Sequence, residues 1–247
     1  MAQNSKILTA IDVGTTKVCT IMGKRAGPGQ LQILAHSIVP CKGLKRGTVA
    51  DTTATAKAVR ASIDEVEAKT GSAVVSAYVG VTGSHVSFQN RSDTLEEIGA
   101  HGVITADELT RVPETVAAFS KESGRRVIHA RPMAYSLDGK HGISNPLGMH
   151  TRRLEVETHV VTGTSSLVDK LANAVENAGV KVEQLVLEPL ASSEAVLTSE
   201  ERHSGAVLVD IGGGTTDVVV FNNRSIGYTA IIPVGGYQFT NDICVTY

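Results

Sequence analysis

The chain has 247 residues, of which 42% are hydrophobic and 19% charged, and its formal net charge is -2. This balance gives no indication of a nucleic-acid partner, and no apolar run is long enough for a signal peptide or a membrane span. Three cysteines without metal-ligand spacing indicate reduced thiols, so we expect a soluble, cytoplasmic chain of one or two domains.

Residues 1–83 are predicted to form the first part of a lobe in which a sheet carries a helix on one face. Strands are expected at 7–13, 18–22, 30–39 and 73–81. A helix is predicted from the N-cap Asp51 to about Thr70, with Gly71 in the left-handed conformation at its end. The short basic run 42–46 is broken by glycine and is interpreted as a solvated loop.

Residues 84–158 depart from this pattern and are predicted to form a small inserted α+β subdomain. Thr105 and Glu108 make a capping-box pattern at the start of a helix, and strands are expected at 126–137 and 153–161. An elaborated edge of the first lobe is the alternative interpretation.

Residues 159–204 are predicted to complete the first lobe and to end in a short helix that begins at Pro189. Residues 205–247 then begin a second lobe. Its strands are expected at 206–209 and 218–221, and its last helix near Phe239. Because too few residues remain for a full sheet, we expect this second lobe to be truncated.

One sequence phrase occurs twice: residues 12–17 read DVGTTK and residues 210–217 read DIGGGTTD. Each copy places an aspartate at the end of an apolar strand, then a glycine turn, then a Thr-Thr pair that enters the next strand. Glycine turns allow backbone N–H groups to converge on phosphate oxygens without an obstructing side chain. The repetition therefore predicts two related lobes that close on one nucleotide.

The candidate site residues follow from this chemistry. Asp12 and Asp210 would hold Mg²⁺, mainly through water. Lys17 is either a phosphate contact or an exposed strand residue. Glu188 either positions a water for catalysis or is simply an acid favoured at a helix N-terminus. Gly236 opens the last helix, whose N-terminus faces an anion unless it is a plain turn. Backbone donors would come from the turns themselves, at Gly14, Thr15, Thr16, Gly212, Gly213, Gly214, Thr215 and Thr216.

Other nucleotide and metal sites are excluded by spacing. Both turns enter strands, whereas a P-loop or a dinucleotide fingerprint enters a helix. The histidines lack ligand spacing and are expected mostly in loops or on the surface. They include His85, His101, His129, His141, His150 and His159.

These motifs resemble those of the actin, Hsp70 and sugar-kinase superfamily. Within it, the chain is most similar to the FtsA family of actin-like bacterial cell-division proteins. This resemblance is carried by residues 81–86, 142–149, 179–182, 190–193 and 233–243. It implies an α/β, actin-like (ribonuclease-H-like) two-lobe ATPase fold that binds ATP and Mg²⁺, with slow or absent hydrolysis.

The resemblance also implies a cytoskeletal adaptor of cell division. Such a protein forms actin-like filaments, recruits the tubulin-like protein FtsZ, and is peripheral at the inner face of the membrane at the division site. We expect the family's membrane-anchoring C-terminal helix and its adenosine-contacting glycine motif to be missing from residues 1–247. A chaperone-type ATPase, a small-molecule kinase or a pilus-assembly ATPase of the same superfamily are the alternatives.

Overall fold

The computed structural model of the chain describes residues 7–27, 29–96, 98, 102–111, 115, 118, 124–143 and 145–246. In chain order the strands are β1 (Ile7–Val13), β2 (Lys17–Gly27), β3 (Gln30–Pro40), β4 (Leu44–Lys45), β5 (Thr48–Val49), β6 (Ser76–Val81), β7 (Val86–Leu95), β8 (Arg125–Leu137), β9 (Lys140–Ile143), β10 (Leu154–Thr164), β11 (Lys181–Leu187), β12 (Ala206–Ile211), β13 (Thr216–Asn222) and β14 (Ser225–Ile232). The helices are α1 (Thr52–Thr70), α2 (Ser165–Asn177), α3 (Glu188–Val196), α4 (Ser199–Ser204) and α5 (Gly236–Thr246), and residues 106–111 are also helical.

The first sheet has the strand order β11-β6-β1-β2-β3. Helix α1 packs on it through fully buried side chains, which are Val59, Ile63 and Val66. The predicted ends of this helix are confirmed: Asp51 accepts a 2.9 Å hydrogen bond from the Ala54 N–H, and Gly71 has φ 66°. Local signals were sufficient here because the cap residues and the apolar stripe indicate the same helix.

The inserted segment forms a second sheet with the strand order β7-β10-β8-β9. It has a small core of its own, made of Ile104, Leu137, Leu154 and Val156. The Thr105 N–H donates to Glu108 Oε2 at 2.8 Å, which is one half of the predicted capping box. Strand β10 continues to Thr164 and leads directly into α2. The subdomain boundary at residue 158 stays a prediction, and Ser144 lies outside the described residues.

The third sheet has the strand order β12-β13-β14 and is followed by α5. Strand β14 was not predicted, because the turn before it has no glycine: Asn223 and Arg224 adopt φ 48° and 67° themselves. The last helix, α5, begins at Gly236, as the prediction that Gly236 opens it requires, and not at the start expected near Phe239.

The inserted sheet docks on the third sheet through β14. His159 is 1% exposed and lies 2.7 Å from Asn90 Oδ1 through Nδ1 and 3.0 Å from Thr229 Oγ1 through Nε2. The Phe88 ring stacks on His159 at 5.0 Å. Burial lowers the pKa of His159 to about 4, so the ring is neutral and donates from Nδ1 to the Asn90 oxygen. The expectation of a loop or surface histidine is wrong at this position.

No helix within the described residues is long and apolar enough to cross a membrane.

Candidate functional site

The first glycine turn joins β1 to β2. Asp12 pairs with Cys19 and Val13 with Val18, and the Gly14 N–H then closes the turn on the Lys17 carbonyl at 2.9 Å. Thr15 and Thr16 form the tip.

The second turn joins β12 to β13 with the same geometry. Asp210 pairs with Asp217, and the Gly212 N–H donates to the Thr215 carbonyl at 2.9 Å. Gly213 and Gly214 form its tip. The two turns therefore have equal length, and the threonine pairs that look alike in sequence do not correspond in space.

The two tips lie against each other. A Cβ placed on Gly213 would lie 2.6 Å from Thr16 Cγ2, and one placed on Gly214 would lie 2.6 Å from Thr15 Oγ1. Neither glycine has a positive φ, so close approach is the reason that glycine is required at both positions.

The N–H groups at the tips are available to a ligand. Within the described part of the chain, the N–H groups of Thr15, Thr16, Gly213 and Gly214 donate to no protein group. Adjacent free amides of this kind form an anion-binding concavity.

A cavity of about 350 Å³ lies beside the tips. It is lined by most of the predicted site residues: Asp12, Gly14, Thr15, Thr16, Lys17, Glu188, Asp210, Gly212, Gly213, Gly214 and Thr215. Thr216 lies outside it, and its hydroxyl donates to the Val234 carbonyl at 2.8 Å. Gly236 also lies outside it, and its N–H donates to the Gly212 carbonyl at 2.9 Å. Through this hydrogen bond, the first residue of α5 contacts the second turn.

Two carboxylates at the ends of β1 and β12 lie on the cavity wall. Asp210 Oδ2 accepts a 2.6 Å hydrogen bond from Ser192 Oγ on α3, which fixes its orientation. Asp12 has no such anchor in the described residues. Desolvation by the surrounding protein raises the pKa of Asp12, the nearby Lys17 lowers it, and the charge of Asp210 raises it again.

Glu188 is the first residue of α3 and lies between these carboxylates and β6. A Cβ on Gly80 would approach its Cγ to 3.1 Å, so glycine at that position makes room for it. Its Oε1 is buried and has no hydrogen-bond partner among the residues that the structure describes. Burial, followed by the charges of Asp12, Asp217 and Asp210, raises the pKa of Glu188 well above its usual range.

Asp217 is a buried carboxylate next to the cavity wall that the sequence analysis did not single out. It is 2% exposed, and its Oδ2 accepts a 2.6 Å hydrogen bond from Thr82 Oγ1 while Oδ1 has no partner. Burial is the main cause that raises its pKa to about 6. The signal was its place at the end of the second phrase, directly across the hairpin from Asp210.

His129 on β8 also contributes to this region. Its Nε2 accepts a 3.0 Å hydrogen bond from the N–H of Leu187, the residue before Glu188. Burial and then the nearby Arg131 lower the pKa of His129 to about 4, so it stays neutral and able to accept. The inserted sheet therefore holds the strand end that positions Glu188, and the expectation of a loop or surface histidine is wrong here as well.

The site is suited to a hydrated cation rather than a directly ligated one. Among the residues that the structure describes, no three histidine, cysteine or carboxylate side chains converge closely enough to ligate a metal ion directly. Two buried acceptors, Glu188 Oε1 and Asp217 Oδ1, nevertheless lack donors. Mg²⁺ retains several of its waters, and in a bound state those waters would be donors for a carboxylate on the cavity wall such as Glu188.

Comparisons with known proteins find similarity to one protein family in different parts of the chain. Residues 83–162 match the model of the SHS2 domain inserted in FTSA, and residues 207–247 match the model of the cell division protein FtsA. The chain is 37% identical over 243 residues to the cell division protein FtsA of Pseudomonas aeruginosa, covering 98% of this chain and 58% of that protein. It is 32% identical over 250 residues to the FtsA protein of Escherichia coli K12, covering 100% of this chain and 58% of that protein.

A solved structure described as a PilM-PilN type IV pilus biogenesis complex has the same fold, with a TM-score of 0.69 and 15% identity over 97% of this chain and 65% of that chain. The predicted actin-like α/β fold is confirmed. The chain spans less than two thirds of the length of the relatives it matches. On this evidence, the chain is similar over nearly its whole length to the FtsA family of bacterial cell-division proteins.

Proposed function

We propose that this chain binds ATP with Mg²⁺ between its two glycine turns, as part of an FtsA-type adaptor of bacterial cell division. The observation that carries the proposal is the contact between the two tips, whose free N–H groups adjoin a cavity lined by carboxylates. Backbone amides favour phosphate oxygens, and the carboxylates favour the cation that accompanies them.

Each part of the site then has a role. The tip amides hold the phosphates, and Lys17 adds a positive charge at the cavity wall. Asp12 and Asp210 hold the hydrated Mg²⁺, with Ser192 orienting Asp210. Mg²⁺, when bound, neutralises the phosphate charge. Glu188 orients a water through its unpaired oxygen.

Hydrolysis is proposed to be slow or absent. A carboxyl group whose pKa is raised stays protonated to higher pH, and in that form it cannot accept a proton from water. In the chain without Mg²⁺, burial and then the charges of Asp12, Asp217 and Asp210 favour this protonated form of Glu188. ATP would accordingly act mainly as a bound ligand that holds the two turns together.

The cellular role is proposed from the family. The adaptor would recruit the tubulin-like FtsZ, form actin-like filaments with contacts through the inserted subdomain, and lie at the inner face of the membrane at the division site. Membrane contact would come from a C-terminal helix outside residues 1–247. The chaperone, kinase and pilus-assembly alternatives are not favoured, because the family model matched by residues 207–247 and the relatives from Pseudomonas aeruginosa and Escherichia coli are all cell division proteins.

The proposed ATP binding is tested by isothermal titration of Mg-ATP into the chain. Asp210→Asn removes the charge of the anchored carboxylate and is expected to weaken binding at least about tenfold. Asp64→Asn is the matched control, because Asp64 is exposed on α1 and pairs only with Arg60 and so contributes little. Equal affinity in the Asp210→Asn variant and the control would remove Asp210 from the site.

A further inference from the structure

A second cavity of about 620 Å³ also borders the two tips. It shares Thr15, Thr16 and Gly214 with the first cavity. The rest of its wall comes from the loop after β3 and from the exposed side of α5, including Tyr237. Both cavities therefore border the tips.

The two cavities carry opposite charge. The first is lined by Asp12, Glu188 and Asp210, with Lys17 as the counter-charge. The second is lined by Lys42, Lys45 and Arg46 and by no acidic residue. None of these three basic side chains forms an ion pair with a carboxylate in the described part of the chain. A cluster of positive charges without carboxylate partners attracts an anion.

The basic loop is fixed to both tips by its backbone. Arg46 has φ 51°, a left-handed conformation that is rare for a residue with a long side chain. Its Cα lies 3.1 Å from the position that a Cβ on Gly214 would take, so it packs against the second tip. The next N–H, that of Gly47, donates to Thr15 Oγ1 on the first tip at 3.1 Å. Arg46 and Gly47 are the two central residues of the turn between β4 and β5, and a two-residue hairpin turn of this kind requires positive φ at both.

We propose that residues 42–46 form a phosphate clamp. The phosphates of a nucleoside triphosphate lie across the tips with their negative charge toward Lys42, Lys45 and Arg46, and the cation lies on the carboxylate side. This inference rests on the proposed function, and it assigns the basic run a binding role in place of the solvated loop expected from sequence. The β4–β5 turn, through its contacts with Gly214 and Thr15, holds these side chains at the junction of both tips.

The test compares a clamp variant with a charge-matched control. The clamp variant is Lys42→Gln, Lys45→Gln and Arg46→Asn, in which asparagine tolerates the left-handed backbone. The control is Lys24→Gln, Arg25→Gln and Lys57→Gln, which removes the same charge from residues outside both cavities. Circular dichroism establishes that both variants are folded. The ligands are Mg-ATP, inorganic tripolyphosphate and adenosine, each titrated at two salt concentrations.

The clamp variant is expected to lose at least about thirtyfold in affinity for Mg-ATP and tripolyphosphate relative to the control, with adenosine affinity unchanged. The salt dependence of its remaining binding should also be weaker. Equal phosphate affinity in the two variants would overturn the clamp while leaving ATP binding intact. Tripolyphosphate binding that requires the clamp, without any binding of Mg-ATP, would support the clamp and overturn the proposed function. If the wild-type chain binds neither Mg-ATP nor tripolyphosphate, both the clamp and the proposed function are overturned.

Discussion

The two glycine turns have the same length and the same closing hydrogen bond, but their tips differ. The first tip carries two threonines, and the second carries two glycines. Each threonine side chain occupies the space that a Cβ on the facing glycine would need. The repeat is therefore complementary rather than duplicated: side-chain volume on one tip is matched by its absence on the other.

The turns differ again in their carboxylates. Across the hairpin from Asp12 lies Cys19, whereas across from Asp210 lies Asp217. Asp210 is also anchored by Ser192, and Asp12 has no equivalent bond in the described residues. The second turn thus carries more of the negative charge and holds it more rigidly, which suggests that it contributes most to positioning the cation.

The largest expected effect comes from removing the charge of Asp217, which makes the two turns more alike. Burial is the main cause that raises the pKa of Asp217 from 3.8 to about 6, so the native chain binds this proton more tightly than the unfolded chain does. Its contribution to the free energy of unfolding is therefore complete below pH 4 and is lost as the pH rises through 6. Asp217→Asn should gain about 3 kcal/mol of stability relative to wild type between pH 4 and pH 7.

Urea unfolding at several pH values, without Mg²⁺, measures this effect. Asp64→Asn serves as the control. Its free energy of unfolding should differ from that of wild type by an amount that hardly changes over the same pH range. If the difference in free energy of unfolding between Asp217→Asn and wild type does not depend on pH, this carboxyl is not protonated in the native chain.

The next effect comes from filling the glycine tip. Gly213→Ala places a methyl group 2.6 Å from Thr16 Cγ2 and should push the tips apart at a cost of about 2 kcal/mol, or about thirtyfold in Mg-ATP affinity. The double variant Gly213→Ala, Thr16→Gly restores the space and should recover much of the affinity. Gly227→Ala is the control, because nothing lies within 4 Å of a Cβ there. A loss of affinity that Thr16→Gly does not relieve would contradict contact between the tips.

The smallest effect comes from releasing the anchor of Asp210. Ser192→Ala removes the 2.6 Å hydrogen bond and should weaken Mg-ATP binding by about fivefold, equivalent to about 1 kcal/mol. Ser199→Ala, on an exposed residue of α4, is the matched control. If Ser192→Ala binds as tightly as this control, the second turn has no advantage over the first in orienting its carboxylate.

Helices and strands that depend on residues close together in sequence could be predicted. Contacts between residues far apart in sequence could not. The caps of α1 and the strands around both turns follow from local patterns. Strand β14 was missed because Asn223 and Arg224 make a left-handed turn without glycine. The spatial alignment of the two turns could not be predicted, because their Thr-Thr pairs match in sequence but not in space.

The site itself was only partly predictable for the same reason. Asp12 and Asp210 stand in a recognisable motif, and the structure places both on one cavity. His129 reaches the Leu187 N–H from 58 residues away, and the hydrogen bond from Thr82 to Asp217 spans 135 residues. Neither contact leaves a periodic or motif signal in the sequence.

The most direct test of the account is the stoichiometry of Mg-ATP binding, measured by isothermal titration of the chain and of its Asp210→Asn and Gly213→Ala variants. If both turns form one phosphate site, the wild-type chain binds one ATP, and a change in the second turn weakens that single event. Two independent binding events, or one event that neither variant weakens, would contradict a shared site between the turns.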